Sequence, residues 1–560
     1  MKKTLLLFLL LFTGFLKAQD LQEANFKAHI EFLASEELGG RLAGDKVSQT
    51  LAFDYILSAL EAAEVEPLPN LDDMGQYFTF KAPPIVKPEE NELKRFLKKW
   101  DFEEDFYPLS FTANATVKGK ILDVGNGINS EPINDFEAVT EKDMEKIFLI
   151  DLALPKAFSD SRSWANWNSR YEAAKHFEPS AIVFYHSQQD FRPEDAAAMN
   201  NVGKLDIPVL YVSKETAERL GKWNLFPTKI STELTIKRLA GRNVVAAIDN
   251  GAEDFIIIGA HYDHIGKGEY GNSRYEGKTE KIHYGADDNA SGVALMIEVA
   301  KNLRGIGYDQ HNYVFVAFDA EELGLLGSKY FMEDLPVPKE KIKAMINFDM
   351  VGRLNEEDGG LQINGVGSAL EWEAMLTTVS EATPTQIKLG TSALGASDHT
   401  PFYLDSIPVL HFFTGLHSDY HKPSDTPDKI NYNGMITVAK VVLSLIEQLE
   451  LQQAALTFQK TENDMLQQER GGANPKFSVT LGVLPDYTYE GEGMRIDGVS
   501  GGKAAENAGL IKGDVIKSLG DFDISDMASY MKALSKFKKG DETILKYERN
   551  REITTVPIKF

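Results

Sequence analysis

Four runs in the second half of the chain are apolar without alternation, and each breaks off at acidic or imidazole side chains. "FIIIGAHYDHIG" passes from Phe255 into His261 and Asp263, and "YVFVAFDAEELG" from Tyr313 into Glu321 and Glu322. "AMINFDMVGR" passes from Ala344 into Asp349, and "IPVLHFFTGLHSDYHKPSDTP" from Ile407 towards His417 and His421. Continuous apolar strands with long helical patterns between them predict an α/β fold, a mainly parallel or mixed sheet with helices on both faces. Ligands bind beyond the carboxyl ends of the strands in such sheets, so the four runs bring His, Glu, Asp and His to one edge.

The pattern differs elsewhere. From Leu21 to about Pro67 it is helical, with "EELGGRLAG" as a turn between two helices. Between Asn114 and Leu234 short β-rich runs such as "KIFLIDLAL" and "SAIVFYH" predict a separate inserted domain. The polar stretch ending in "QQERGGANPK" reads as a linker, and the residues after it as a compact unit of short strands with Gly-Asp turns. The expected divisions are a signal peptide (1–18), the N-terminal part of a catalytic domain (19–113), an insert (114–234), the catalytic domain (235–455), a linker (456–476) and a C-terminal domain (477–560).

The signal peptide rests on Lys2 and Lys3, the apolar stretch Leu5 to Leu16, and the small Ala18 before Gln19. That stretch falls short of the roughly 18 apolar residues of a membrane span, and no later segment is long and apolar enough to cross a bilayer. A secreted or periplasmic chain is expected.

Composition narrows the chemistry. The 560 residues are 43% hydrophobic and 26% charged, as in soluble globular proteins. A formal net charge of −25, from 59 Lys and Arg against 84 Asp and Glu, argues against nucleic acid as a partner. With no cysteine, thiolate ligands, disulfides and a Cys nucleophile are excluded, and any bound metal must use His and carboxylate ligands.

Glu321 and Glu322 stand side by side with no Lys or Arg within reach. Adjacent residues in turning backbone point different ways, so one can bind a cation while its neighbour holds a proton of water. "HYGADDNASGVALMIEVA" adds Asp287, Asp288, Asn289 and Ser291 ahead of a helical run; capping that helix needs one such residue, which leaves a carboxylate over. Two His and three carboxylates at successive strand and helix ends suit two zinc ions sharing one carboxylate.

In their order and spacing these segments resemble the co-catalytic zinc aminopeptidase family, which includes glutamate carboxypeptidases and glutaminyl cyclases; "FLASEELGGRLAG" is similar to its N-terminal entry segment. The resemblance implies a zinc exopeptidase fold holding two Zn2+ per chain. It puts His261, Asp287 and Asp349 on one zinc and Asp287, Glu322 and His421 on the other, with Asp287 as the bridge. It makes Glu321 the general base, Asp263 the carboxylate that orients His261, and Tyr420 a donor to the developing oxyanion. His264, His283, His411 and His417 are set aside, while Asp398 and His399 in "GASDHTPF" read equally as structural. Residues 114–234 resemble a protease-associated (PA) domain and 477–560 a PDZ domain, with Leu481, Gly482 and Val483 in its peptide-binding loop. Peptide substrates, and peptide or protein C-termini at the PDZ domain, are the partners implied.

The expected function is removal of N-terminal residues from peptides. Alternatives are a carboxypeptidase or dipeptidase of the same fold, for which Arg353 is the only nearby partner for a substrate carboxylate, and a non-catalytic peptide-binding ectodomain. Relatives of that last kind have lost metal ligands, whereas here none is missing.

Overall fold

The computed structural model describes residues 21–560 apart from 159–163, 165–166, 192–204, 223–225, 356–359, 453–454, 461–478, 486–492, 500–503, 525–526, 538–539, 550–551 and isolated single positions. The expected signal peptide and most of the expected linker lie outside the described residues. The chain divides into two compact units: Lys81–Arg238, and the residues on either side of it, up to Phe80 and from Leu239.

An eight-stranded mixed sheet forms the centre of the larger unit. Its strands in chain order are β1 (Gly75–Lys81), β2 (Arg238–Ile248), β3 (Phe255–His261), β4 (Asn312–Phe318), β5 (Ile342–Phe348), β6 (Leu361–Asn364), β7 (Ile387–Gly390) and β8 (Val409–Phe413). They lie in the order β1-β2-β4-β3-β5-β8-β6-β7. Strands β4, β3, β5 and β8 are mutually parallel, so their carboxyl ends fall on one edge, as the apolar runs predict.

Burial on both faces explains why these runs do not alternate. Ile256, Ile258 and Ala260 of β3 pack with helices α1 (Glu23–Leu33), α2 (Lys46–Ala62), α3 (Gly292–Ile306) and α7 (Tyr432–Leu451), the last two of which follow after the strands they cover. Ile257, between them, packs on the opposite face with Phe331 of α4 (Leu326–Glu333) and Phe402 of α6 (His399–Leu404). On the first of these faces a fifth helix, α5 (Trp372–Ala382), contributes the buried Trp372. Each isoleucine removed from water on a covered face contributes about 1.5–3 kcal/mol, and a polar residue on either face would forfeit it.

The inserted unit begins earlier than expected. Strand Glu92–Arg95 pairs with Thr228–Thr232, and Phe106–Pro108 with Val209–Val212, so residues 81–113 belong to the insert and not to the catalytic domain. The short strands between residues 81 and 113 carry too little pattern to set that boundary, and only their pairing with Val209–Val212 and Thr228–Thr232 assigns them to the insert. The insert holds a five-stranded sheet, a four-stranded antiparallel sheet and the helices Trp167–Lys175 and Lys214–Lys222. The C-terminal module is built from strands Val483–Pro485, Met494–Val499, Val515–Leu519, Phe522–Asp523, Glu542–Arg549 and Glu552–Lys559, with a core including Leu481, Ile516 and Leu545. Among the described residues no helix is long and apolar enough to cross a membrane.

Candidate metal centre and active site

The carboxyl edge of the sheet gathers an acidic and imidazole cluster. His261 ends β3 and points Nε2 at Asp288 Oδ1 (3.4 Å), Asp349 Oδ1 (3.4 Å) and Glu321 Oε2 (3.9 Å). Across Asp288, His421 Nε2 lies 3.3 Å from Oδ2 and 3.0 Å from Glu322 Oε2. Asp288 therefore stands between two donor groups, one with His261 and Asp349 and one with Glu322 and a histidine.

That position was expected for Asp287, and the structure corrects it. Asp288 (φ −105°, ψ 91°) and Asn289 (φ −133°, ψ 45°) break the helical path before α3, so the two neighbouring carboxylates diverge. The Asp287 carboxylate turns away, accepting from the Gly352 amide (2.6 Å) and meeting His417 Nε2 at 3.1 Å. His417 is thus the partner of Asp287. The spacing to α3 could not separate the two aspartates, because the deciding feature is a local departure from helical dihedrals.

The loop is fixed from several sides. Asp425 accepts the amides of Asp287 (2.9 Å) and Asp288 (3.1 Å), and Asn289 accepts those of Gly292 (2.9 Å) and Met350 (3.1 Å). The buried Arg41 donates to the carbonyls of Tyr262, Tyr284 and Gly285, each at 2.8 Å, and to that of Leu33. The cluster is therefore not wholly without a basic neighbour; but this guanidinium is engaged with backbone carbonyls and leaves the carboxylates to the imidazoles. Gly285, at φ +56°, has no room for a side chain: a Cβ would lie 2.2 Å from the Asp288 carbonyl oxygen.

Asp263 accepts the amides of Glu321 (2.9 Å) and Glu322 (3.3 Å), while its Oδ1 is 3.8 Å from His261 Nδ1. Its carboxylate thus seats the turn that carries both glutamates, and its backbone oxygen, 3.2 Å from Nδ1, is nearer the imidazole. Asp349 is held by the Ser397 hydroxyl (2.6 Å), itself held by Asn347 (2.7 Å). "GASDHTPF" thereby contributes through Ser397, which sequence reasoning passed over. Asp398 is buried nearby, and His399 stacks on His411 at 4.6 Å. Ala320, Leu325, Met350 and His421 all hold positive φ, a concentration of backbone strain that packing sustains at functional sites.

His264, set aside on sequence grounds, has Nδ1 2.8 Å from Glu322 Oε1 and 3.8 Å from Asp288 Oδ2. It forms a possible metal-holding group with Asp288 and Glu322 and so competes with His421. The second nitrogens separate them. His421 Nδ1 meets the Asn272 carbonyl at 2.8 Å, which fixes one proton there and makes Nε2, facing the carboxylates, the nitrogen that a metal would take in place of its proton. His264 has no such partner on Nε2, so His421 is the better donor and His264 orients Glu322. Tyr420 lies flat on His421, ring centroids 3.9 Å apart.

The electrostatics match a cation-binding cluster. Burial alone would raise Asp288, yet hydrogen bonding and the charges of His261, His264 and His421 hold its carboxyl well below the usual range. Burial works against a charged His421, but Asp288 and Glu322 push it up to about 10. Burial, with the charges of Asp398, Glu322 and Asp349, holds the Glu321 carboxyl well above the usual range against the opposing pull of His261. Burial, then Asp288 and Glu322, likewise keeps the Tyr420 phenol protonated. Buried imidazoles that hold protons only because carboxylates surround them are sites where a divalent ion displaces those protons. The donor set, imidazole nitrogen and carboxylate oxygen without sulfur, fits zinc.

Residues 243–446 match the family model described as peptidase family M28, and residues 457–560 that of a PDZ domain. The chain thus carries a peptidase family M28 domain followed by a PDZ domain. The PDZ match takes in the stretch expected as a linker. Aminopeptidase YwaD of Bacillus subtilis is 30% identical over 281 residues, 47% of this chain and 56% of that protein. Leupeptin-inactivating enzyme 1 of Streptomyces exfoliatus is 31% identical over 207 residues, 36% of this chain and 42% of that protein. The chain spans about half the length of these curated relatives. Among solved structures, an aminopeptidase from Aneurinibacillus sp. strain AM-1 aligns over 79% of this chain and 96% of its own, with a TM-score of 0.50 and 22% identity, a likeness of fold.

Leu481, Gly482 and Val483 sit at the edge of the PDZ core. Leu481 is buried and its carbonyl accepts from Ala505 (2.8 Å), Gly482 has φ +78°, and Val483 opens the first described strand of the module.

Proposed function

We propose that this protein is an exported aminopeptidase that hydrolyses N-terminal residues from peptides with two zinc ions. The observation that carries the reading is the convergence of His261, Asp349, Glu322 and His421 on the two oxygens of Asp288. His261, Asp288 and Asp349 would hold one ion, and Asp288, Glu322 and His421 the other. When bound, the pair supplies a water of lowered pKa and polarises the scissile carbonyl.

The remaining chemistry falls to the chain. Glu321, excluded from both donor sets but 3.9 Å from His261, takes the proton of the attacking water and returns it to the leaving amine. Its raised proton affinity suits a group that must hold that proton between the two steps. Tyr420, kept protonated, donates to the oxyanion. The PDZ module takes peptide C-termini as an added strand, with the amides of residues 481–483 meeting the carboxylate, and the unit 81–238 is a PA-type insert.

Arg353 bears on the carboxypeptidase alternative. Its guanidinium donates to Asp425 (3.0 Å) and lies 3.6 Å from Asp419, so it is already engaged. Purified protein should release p-nitroaniline from aminoacyl-p-nitroanilides, lose this activity to a chelator and regain it with zinc. Activity indifferent to chelation, or confined to N-blocked substrates with a free C-terminus, refutes the reading.

A further inference from the structure

The inserted unit carries an exposed apolar turn beside a row of lysines. Strands Glu92–Arg95 and Lys98–Lys99 form a hairpin in which Arg95 faces Lys98, so Phe96 and Leu97 are its two-residue turn. Such turns favour Asn and Gly because the first central residue needs a positive φ. Here Phe96 adopts φ +53°, at a cost glycine would avoid. Phe96 is 69% exposed and Leu97 87%, the highest exposure of any large apolar side chain among the described residues. Phe226, 49% exposed, stacks on Phe96 at 4.7 Å.

Behind the turn, Lys99 pairs with Lys94, Lys94 with Lys229, and Lys229 with Lys118. Residues paired in register share a face, so four lysines cross the four-stranded sheet in one line. Like charges placed opposite one another destabilise a sheet. Glu92 offsets part of this through Lys229 (2.6 Å) and Lys94 (3.0 Å), while Lys99 and Lys118 have no carboxylate partner among the described residues. The other face of the same strands is core, with Leu93 and Ile230 buried.

We propose that this face docks on an anionic lipid bilayer, with Phe96 and Leu97 entering the interface and the lysines lying over headgroup phosphates. Two local costs, a strained bulky turn and a ladder of like charge, are borne at one place on a chain of net charge −25. An anionic bilayer would cover the exposed apolar turn and offset the repulsion of the ladder together, while the backbone cost at Phe96 is what keeps a bulky apolar side chain at the tip. Lys94 is two residues, about 7 Å, from the turn, which matches the roughly 5–10 Å to which interfacial apolar groups are buried. Phe96 and Leu97 stand exposed in a two-residue turn that a bilayer interface would bury and a soluble acidic chain would leave in water, so a soluble acidic partner is the poorer fit.

The test is co-sedimentation of the purified full chain with vesicles of phosphatidylcholine alone or mixed with phosphatidylglycerol. Phosphatidylglycerol should promote binding, and added salt should weaken it. F96G/L97S suits the positive φ and so folds, and it should bind the mixed vesicles about tenfold less. K99E/K118E should lose roughly 25-fold or more, at about fivefold per lysine. Both variants should retain wild-type turnover of an aminoacyl-p-nitroanilide. No dependence on phosphatidylglycerol, or binding unaffected by either variant, overturns the proposal. So does binding to soluble polyglutamate that F96G/L97S leaves unchanged, which would assign the lysines to an acidic polymer.

Discussion

Replacing Glu321 by Gln separates the roles of the paired glutamates. The side chain keeps its length and volume, and the backbone amide that Asp263 accepts at 2.9 Å is untouched. Glu321 makes no contact with His261 closer than 3.9 Å, so no hydrogen bond to that ring is lost. The substitution puts a neutral amide in place of a carboxyl whose charged form burial and the neighbouring Asp398, Glu322 and Asp349 disfavour, so folding should not suffer. Catalysis should. Loss of a general base costs roughly 10²–10⁴-fold, about 2.7–5.4 kcal/mol at 1.36 kcal/mol per tenfold. The loss should fall on kcat with KM within a few-fold, as measured by initial rates on leucine p-nitroanilide. Zinc content by mass spectrometry should stay at the wild-type value. A variant that loses zinc together with activity would show that Glu321 and Glu322 have been assigned the wrong way round. A rate loss under tenfold would show that neither is the base.

Two further outcomes follow from the packing around the centre. Gly285→Ala places a Cβ 2.2 Å from the Asp288 carbonyl oxygen and 2.6 Å from the His264 ring at φ +56°, so it should abolish zinc retention and activity; a variant with wild-type zinc content would show that the loop yields. Burial, then the neighbouring His411, holds His399 well below its usual value, so the folded state keeps it neutral. Above pH about 6.5 neither state is protonated and nothing is lost. Below it the unfolded chain binds the extra proton, and stability falls by about 1.4 kcal/mol per pH unit. Thermal inactivation should therefore occur at lower temperature as pH drops through that range, and His399→Gln should flatten the dependence; an unchanged slope would refute the assignment.

The sheet was legible because β3, β4, β5 and β8 are buried on both faces and are therefore written as unbroken apolar runs. Their convergence followed from parallel pairing, which sends His261, the residues after Phe318, Asp349 and the residues after Phe413 to one edge. Legibility stopped where local dihedrals decide. Asp287 and Asp288 carry the same side chain in the same motif, and only the non-helical backbone at Asp288 and Asn289 turns one towards His261 and the other towards His417. Arg41 was invisible for another reason: its partners are carbonyls of residues 33, 262, 284 and 285, which no spacing connects. Ser397, His264 and Asp425 act through neighbours that only the fold supplies. Asp425 stands four residues after His421 in the sequence, but nothing there marks it as the group that accepts two amides of the loop before α3.

Metal content of the wild type, Asp287→Asn and Asp288→Asn tests the central claim most directly. Asn at 287 can still accept from the Gly352 amide and face His417, so that variant and the wild type alike should retain two zinc ions per chain. Asn at 288 removes the charge shared by both donor groups and should retain fewer than one. Two ions in the Asp288 variant, or their loss from the Asp287 variant, would contradict the account.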